Sequence, residues 1–204
     1  MSSKPIFITG IGTGVGKTIV SAVLVEKLKA DYWKPIQSGD LSNSDTKTVE
    51  GLITCKTSVF YPEAYRLTQP YSPHKSAELD GIRIELGNFY LPKTKNHLII
   101  EGAGGLMVPL NDQHLMVDLI AKMNAEVILV VQHYLGSINH TLLSIELLKS
   151  RNLSFKGIIF NGLEDIHSEK AISDFSKSSI LGRIKSFDKL DKQTIVSAGS
   201  NINI

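Results

Sequence analysis

Apolar residues recur with two different periods along the chain. Short β-branched runs at residues 6–9, 98–100, 127–131 and 158–160 are too brief for helices, and several end in Gly or Asn, which predicts buried strands. Between them the apolar spacing becomes helical, predicting helices over 18–29, 45–54, 84–91, 115–123 and 137–150. A further strand pattern ends at Lys34. Such alternation predicts an α/β fold with a mainly parallel sheet flanked by helices on both faces. Loops at the carboxyl ends of its strands should receive the ligands. Residues 38–44, rich in turn formers, and residues 61–74, with three prolines, read as loops over that edge. The tail from 193 to 204 is weakly patterned.

Composition narrows the classes of function. The 204 residues suit a single domain spanning 1–204, because cores tend to divide only beyond roughly 250 residues. The 22 Lys and Arg against 20 Asp and Glu leave a charge of +2 without basic runs, so neither a nucleic-acid nor a membrane partner is indicated. Apolar runs stay far below the roughly 20 residues of a membrane span. Met1-Ser2-Ser3-Lys4-Pro5 leads directly into a strand pattern without the apolar stretch of a secretory leader. Cys55 is the lone cysteine, which suits a reducing compartment and a cytoplasmic location.

The strand at 6–9 is followed by Gly10-Ile11-Gly12-Thr13-Gly14-Val15-Gly16-Lys17-Thr18 and then by helical spacing. Strand, glycine loop and helix in that order predict a P-loop nucleoside-triphosphate site. The backbone N–H groups from Gly12 through Gly16 can turn around phosphate oxygens, and the helix start adds its positive end. Lys17 is then placed for the β- and γ-phosphates and the Thr18 hydroxyl for a metal. Five residues rather than four separate Gly10 from Gly16, a close variant of the usual spacing.

Metal-bound triphosphate calls for protein oxygen ligands. Glu101 closes a strand and precedes Gly102-Ala103-Gly104-Gly105, where a carboxylate can face the phosphate loop. Asp45 reads from its local sequence as a helix N-cap, with a metal ligand as the alternative. Lys34 fits equally a solvated strand-end charge or an anion contact.

Taken in chain order, the glycine loop, Lys34-Pro35-Ile36-Gln37-Ser38-Gly39, Asn43-Ser44-Asp45, Ser72-Pro73-His74, Glu101-Gly102-Ala103-Gly104-Gly105 and Leu135-Gly136-Ser137-Ile138-Asn139-His140 resemble dethiobiotin synthetase. The resemblance implies an ATP-dependent, Mg²⁺-requiring ligase of biotin biosynthesis. It would convert 7,8-diaminononanoate and CO₂ to a carbamate, phosphorylate it and close the ureido ring, giving dethiobiotin, ADP and phosphate. It further implies that Thr13, Lys17 and Lys34 act on the carbamate and γ-phosphate, and that Thr18, Asp45 and Glu101 surround the metal. Ser38, Pro73 and Gly104 would lie at the substrate, and Asn161 would read the adenine edge. In the implied homodimer, Gly136, Ser137 and Asn139 would meet the substrate carboxylate of the neighbouring subunit. The chain departs from the family pattern at Gly12 and Gly14, where relatives often carry an acid, and at Lys185, where a proline is usual. Partition and division-site ATPases share the loop but commonly carry a second lysine early in it, where this chain has Ile11 and Gly12.

Overall fold

In the computed structural model, which describes residues 4–204, strands and helices alternate along the chain as the apolar periods require. The reading of Met1, Ser2 and Ser3 as the start of a chain without a leader lies outside the described residues. The first half comprises β1 (Ile6–Gly10), α1 (Lys17–Leu28), β2 (Asp31–Trp33), β3 (Ile36–Ser38), α2 (Asp45–Leu52), β4 (Phe60–Tyr61), β5 (Tyr65–Leu67) and α3 (Pro73–Leu79). The second comprises β6 (Leu98–Glu101), α4 (Met116–Met123), β7 (Glu126–Val131), α5 (Ser137–Ser150), β8 (Phe155–Asn161), α6 (Ile166–Ser176), β9 (Ile180–Ile184) and α7 (Lys192–Ala198).

Seven strands form one sheet in the order β4-β2-β6-β1-β7-β8-β9, every neighbouring pair parallel. Apolar residues on both faces of its central strands require cover on both sides. Ile6 and Ile8 of β1 join one core cluster with Val23 of α1, Val49 of α2 and Ile195 of α7. Phe7, between them, joins the opposite cluster with Ala77 of α3 and Leu119 of α4, as the period-two alternation of a strand demands. No described helix is long and apolar enough to cross a membrane.

Two readings of the sequence need correction, and the packing of the tail, which the sequence left open, is answered. Residues 84–91 form no α-helix, only a 3₁₀ turn at Leu86–Asn88. Gly87 and Asn88 are poor helix formers, and Tyr65 Oη accepts from the Glu85 N–H and the Asn88 side chain, drawing the segment into tertiary bonds. Residues 61–74 are not one loop: β5 pairs with β3 in a separate two-stranded parallel sheet, and α3 starts at Pro73. The tail packs, with α7 and Ile202 burying apolar side chains and Ile202 bridging to Gly182. Helix α6 and strand β9 lay outside the predicted elements.

Candidate functional site

Register explains how residues far apart in sequence meet. In the sheet β6 lies between β1 and β2, with Ile8 opposite Glu101 and Trp33 opposite Ile100. The chain leaving β1, the residue following β2 and the last residue of β6 therefore emerge side by side. They carry the glycine loop, Lys34 and Glu101.

The loop enters α1 through Gly16, whose φ of +91° lies in the left-handed region. A Cβ there would also run into the Asn161 side chain, whose Nδ2 donates to the Val15 carbonyl at 3.1 Å. Asn161, at the end of β8, is thus tied to the phosphate loop. Lys17 Nζ donates to the Gly12 carbonyl at 2.8 Å. Burial first, then the neighbouring Lys34 charge, push its ammonium down to about 8, against the pull of Glu101 and Asp45.

Glu101, 1% exposed, is the hub of the site. Its Oε1 accepts from Thr18 Oγ1 at 2.9 Å and from Lys34 Nζ at 3.1 Å, and its Oε2 accepts from Tyr32 Oη at 2.9 Å. Lys34, itself 2% exposed, also donates to the Gly102 carbonyl at 3.0 Å and pairs with Asp45 Oδ2 at 2.6 Å. The edge-charge alternative for Lys34 is therefore wrong. Burial alone would lower its pKa, but the Glu101 and Asp45 carboxylates outweigh burial and hold it above the ordinary lysine range. Burial likewise works against the Asp45 carboxylate, and Lys34 overcomes it, holding Asp45 below its usual range.

Asp45 is the first residue of α2 and Ser44 its N-cap, so the N-cap reading of Asp45 falls too. Gln37 sets this helix start: its Oε1 accepts from the Asp45 N–H at 3.1 Å, and its Nε2 donates to the Gly39 carbonyl at 3.0 Å. Neither Gln37 nor Tyr32 was singled out from the sequence. Strand alternation could have found Tyr32, which stands two residues before Lys34 and on the same face of the sheet.

Lys17, Thr18, Lys34, Gln37, Asp45 and Glu101 line a cleft of about 640 Å³, together with Thr13, Gly14, Gly16, Ser38, Pro73 and Gly104. Ser38 Oγ is buried there without a hydrogen-bond partner among the described residues. Gly12 faces instead an apolar groove beside Met107, Leu143 and Leu147, and the Val15 side chain is buried. Gly136, Ser137 and Asn139, at the start of α5, line a separate cleft with His133 and Asp165. The structure does not bring them to Lys17 within one chain.

Thr18, Asp45 and Glu101 supply hard oxygen donors at one end of the cleft, the donor chemistry that magnesium prefers. No cluster of three or more His, Cys, Asp and Glu able to hold a metal occurs among the described residues.

A protein-family model described as an AAA domain matches residues 4–194. A protein of Christiangramia forsetii described as ATP-dependent dethiobiotin synthetase BioD is 55% identical over 192 residues, covering 94% of this chain and 92% of the relative. One of Cytophaga hutchinsonii with the same description is 47% identical, covering 95% and 94%. Among solved structures, the septum site-determining protein MinD with Mg-ADP from Pyrococcus horikoshii aligns at a TM-score of 0.58 with 16% identity, covering 98% of this chain and 95% of that one. A putative plasmid partition protein of Borrelia burgdorferi bound to AMPPNP aligns at 0.55 with 14% identity, covering 97% and 98%. At those identities the structural likeness speaks for the fold alone.

Proposed function

Because this chain belongs to the ATP-dependent dethiobiotin synthetase family, we propose that the cleft around Lys17, Lys34 and Glu101 is where it joins a diamine to CO₂ at the expense of ATP. The chain is an ATP-dependent carbon–nitrogen ligase of biotin biosynthesis: 7,8-diaminononanoate, CO₂ and ATP become dethiobiotin, ADP and phosphate. The residue roles that follow are our reading of the geometry.

The electrostatic problem is an anionic carbamate approaching an anionic γ-phosphate, and fixed positive charge is the remedy. Lys34 carries the reading: two carboxylates and a carbonyl hold it charged beside the phosphate loop, and it meets a reacting oxygen by exchanging one of those three bonds. Lys17 gives up its bond to the Gly12 carbonyl to reach the phosphates, whose charge offsets the burial and the Lys34 charge that lower its pKa. Thr13 and the backbone N–H groups from Gly14 to Gly16 cradle the phosphates, and Asn161 stands at the base. Ser38, Pro73 and Gly104 form the substrate side. Thr18, Asp45 and Glu101 would hold Mg²⁺, which supplies further charge neutralisation at the β- and γ-phosphate oxygens.

Residues 1–204 act in this reading as one catalytic unit. Gly136, Ser137 and Asn139 line a cleft separate from that of Lys17, which fits a homodimer in which they serve the neighbouring subunit. Exposed Met107 and Leu143, beside the loop, suit its interface. We place the reaction in the cytoplasm, where ATP is made and Cys55 stays reduced.

The test is phosphate release from MgATP with and without 7,8-diaminononanoate and bicarbonate, with mass spectrometry of the organic product. Diamine-dependent release with dethiobiotin formed is expected, and Lys34→Ala should slow it by about a hundredfold or more. ATP hydrolysis indifferent to the diamine, with no dethiobiotin, would overturn the assignment.

A further inference from the structure

Away from the cleft, several polar groups converge on one carboxylate at the far side of the sheet. Glu169 of α6 accepts through Oε1 from Arg183 Nη2 and from the Asp165 N–H at 3.1 Å, and lies 3.0 Å from His133 Nε2. Arg183, on β9, also donates through Nη1 to the carbonyls of Gly162 at 3.4 Å and Leu163 at 3.2 Å. The Phe160 ring is flanked by both partners, His133 stacked at 5.2 Å and the Arg183 guanidinium 5.4 Å from its centroid.

Three of these bonds, to the Gly162 and Leu163 carbonyls and from the Asp165 N–H, hold residues 162–165, the connection from β8 to α6. That connection has little apolar burial of its own: Leu163 is 80% exposed and Glu164 is exposed. Its conformation therefore depends on polar ties, the condition under which a segment opens locally once they are removed. The ties are also protected, since the Arg183 and Glu169 side chains are only 15% and 17% exposed, unlike the solvated pairs that contribute little. Asn161 immediately precedes the connection. With its side chain fixed to Val15, its backbone continues into Gly162, which donates to the Ile184 carbonyl at 2.8 Å. Residues 162–164, Arg183 and Lys185 line a cleft of about 580 Å³ next to it.

We propose that Arg183, clamped by Glu169, is a positioning residue for the nucleobase: it fixes residues 162–165, and with them Asn161, as one wall of the site that receives the base of the nucleotide. This rests on the reading of Asn161 as the residue at the base. Arg183 does not line the cleft that holds Lys17 and Thr18, so its removal should weaken recognition of the base and leave recognition of the triphosphate intact.

Nucleotide binding to the full-length protein, by competition against a fluorescent ATP analogue, tests this without any diamine. ATP, GTP and Mg-tripolyphosphate serve as competitors, and Arg183→Met, Arg183→Lys, Glu169→Gln and Asn161→Ala as variants. Arg183→Met should weaken ATP about tenfold, a change of 1.4 kcal/mol, while tripolyphosphate affinity stays within about twofold. The ATP-to-GTP preference should narrow, and Arg183→Lys should recover part of it. Equal weakening of ATP and tripolyphosphate, or an unchanged ATP-to-GTP ratio, would overturn the proposal; should Arg183→Met not fold, Glu169→Gln and Arg183→Lys answer the same question. If Asn161→Ala alters base preference and the Arg183 and Glu169 variants do not, the clamp alone is refuted. If Asn161→Ala leaves preference unchanged, the base-side reading itself is refuted.

Discussion

Glu101 meets three donors with two oxygens, and the division between them matters. Thr18 and Lys34 share Oε1, on the side of the cleft, whereas Tyr32 alone holds Oε2 from the buried side. Tyr32→Phe keeps the ring in its core position and removes only that donor, leaving a carboxylate oxygen unpaired in a buried setting. Stability should fall by about 1–3 kcal/mol, the range for an orphaned buried group, which urea unfolding would measure. Because the carboxylate is then free to turn, the magnesium concentration needed for half-maximal turnover should rise about tenfold, a loss of roughly 1.4 kcal/mol in orientation. A lowered unfolding midpoint with an unchanged magnesium titration would assign Tyr32 to packing alone. At this scale the residues whose chemistry is declared by local context were legible: Lys17 and Thr18 stand in a glycine loop, and Glu101 precedes a glycine run. Lys34 and Asp45 were ambiguous because a charge is explained by what it faces, and each faces a residue from a different segment. Gln37 escaped because its bonds, to the Asp45 N–H and the Gly39 carbonyl, leave no trace in composition or period.

Elements carry the site only if their far ends are held, and α2 shows how. Its first residue presents Asp45 to Lys34; beyond its last turn the chain is tethered to α1 by Glu26, whose Oε2 accepts from the N–H groups of Thr54 at 2.6 Å and Cys55 at 3.0 Å. Burial opposes the Glu26 charge, but Lys29 and these N–H groups prevail and lower its carboxyl to about 2. A carboxyl depressed in the folded state contributes stability that is full above its unfolded value near 4.5 and is lost as pH falls toward 2. Glu26→Gln should therefore cost about 2 kcal/mol at pH 7, and denaturant titrations of both proteins should show the gap narrowing below pH 4.5. A gap independent of pH would mean the charge is not what holds the tether. Helices α1, α4 and α5 and the apolar strands β1, β6, β7 and β8 were read correctly because their length and apolar spacing separate one kind of element from the other. Residues 84–91 carried a helical apolar spacing yet fold otherwise, since Ile84 and Phe89 are buried from a 3₁₀ turn whose polar groups bond to Tyr65. Strand β9 was missed because Gly182 and Arg183 interrupt its apolar run, and α6 because its apolar residues are sparse.

At the level of the whole molecule, alternation along the chain foretold a parallel sheet covered on both faces, and the seven strands realise it. The order of those strands was not legible, nor was the small β3–β5 sheet, since pairing between distant segments is decided by packing rather than by local pattern. The same limit applies to assembly. Gly136, Ser137 and Asn139 line one cleft and Lys17 and Lys34 another, so in the proposed homodimer the two halves of a substrate site would come from different chains. Complementation distinguishes that arrangement from a self-sufficient chain. Lys34→Ala disables the phosphate half. Asn139→Asp disables the other half by repelling the substrate carboxylate, while an acid at a helix N-terminus leaves α5 undisturbed. If each site is shared, a mixed dimer of the two variants contains one intact site and one doubly damaged site. Random pairing then makes half the dimers mixed and should return about a quarter of wild-type turnover at limiting diamine, where each variant alone is impaired. If every chain supplied its own Asn139, each site in the mixed dimer would still carry one lesion, and refolding the variants together would return nothing above their average.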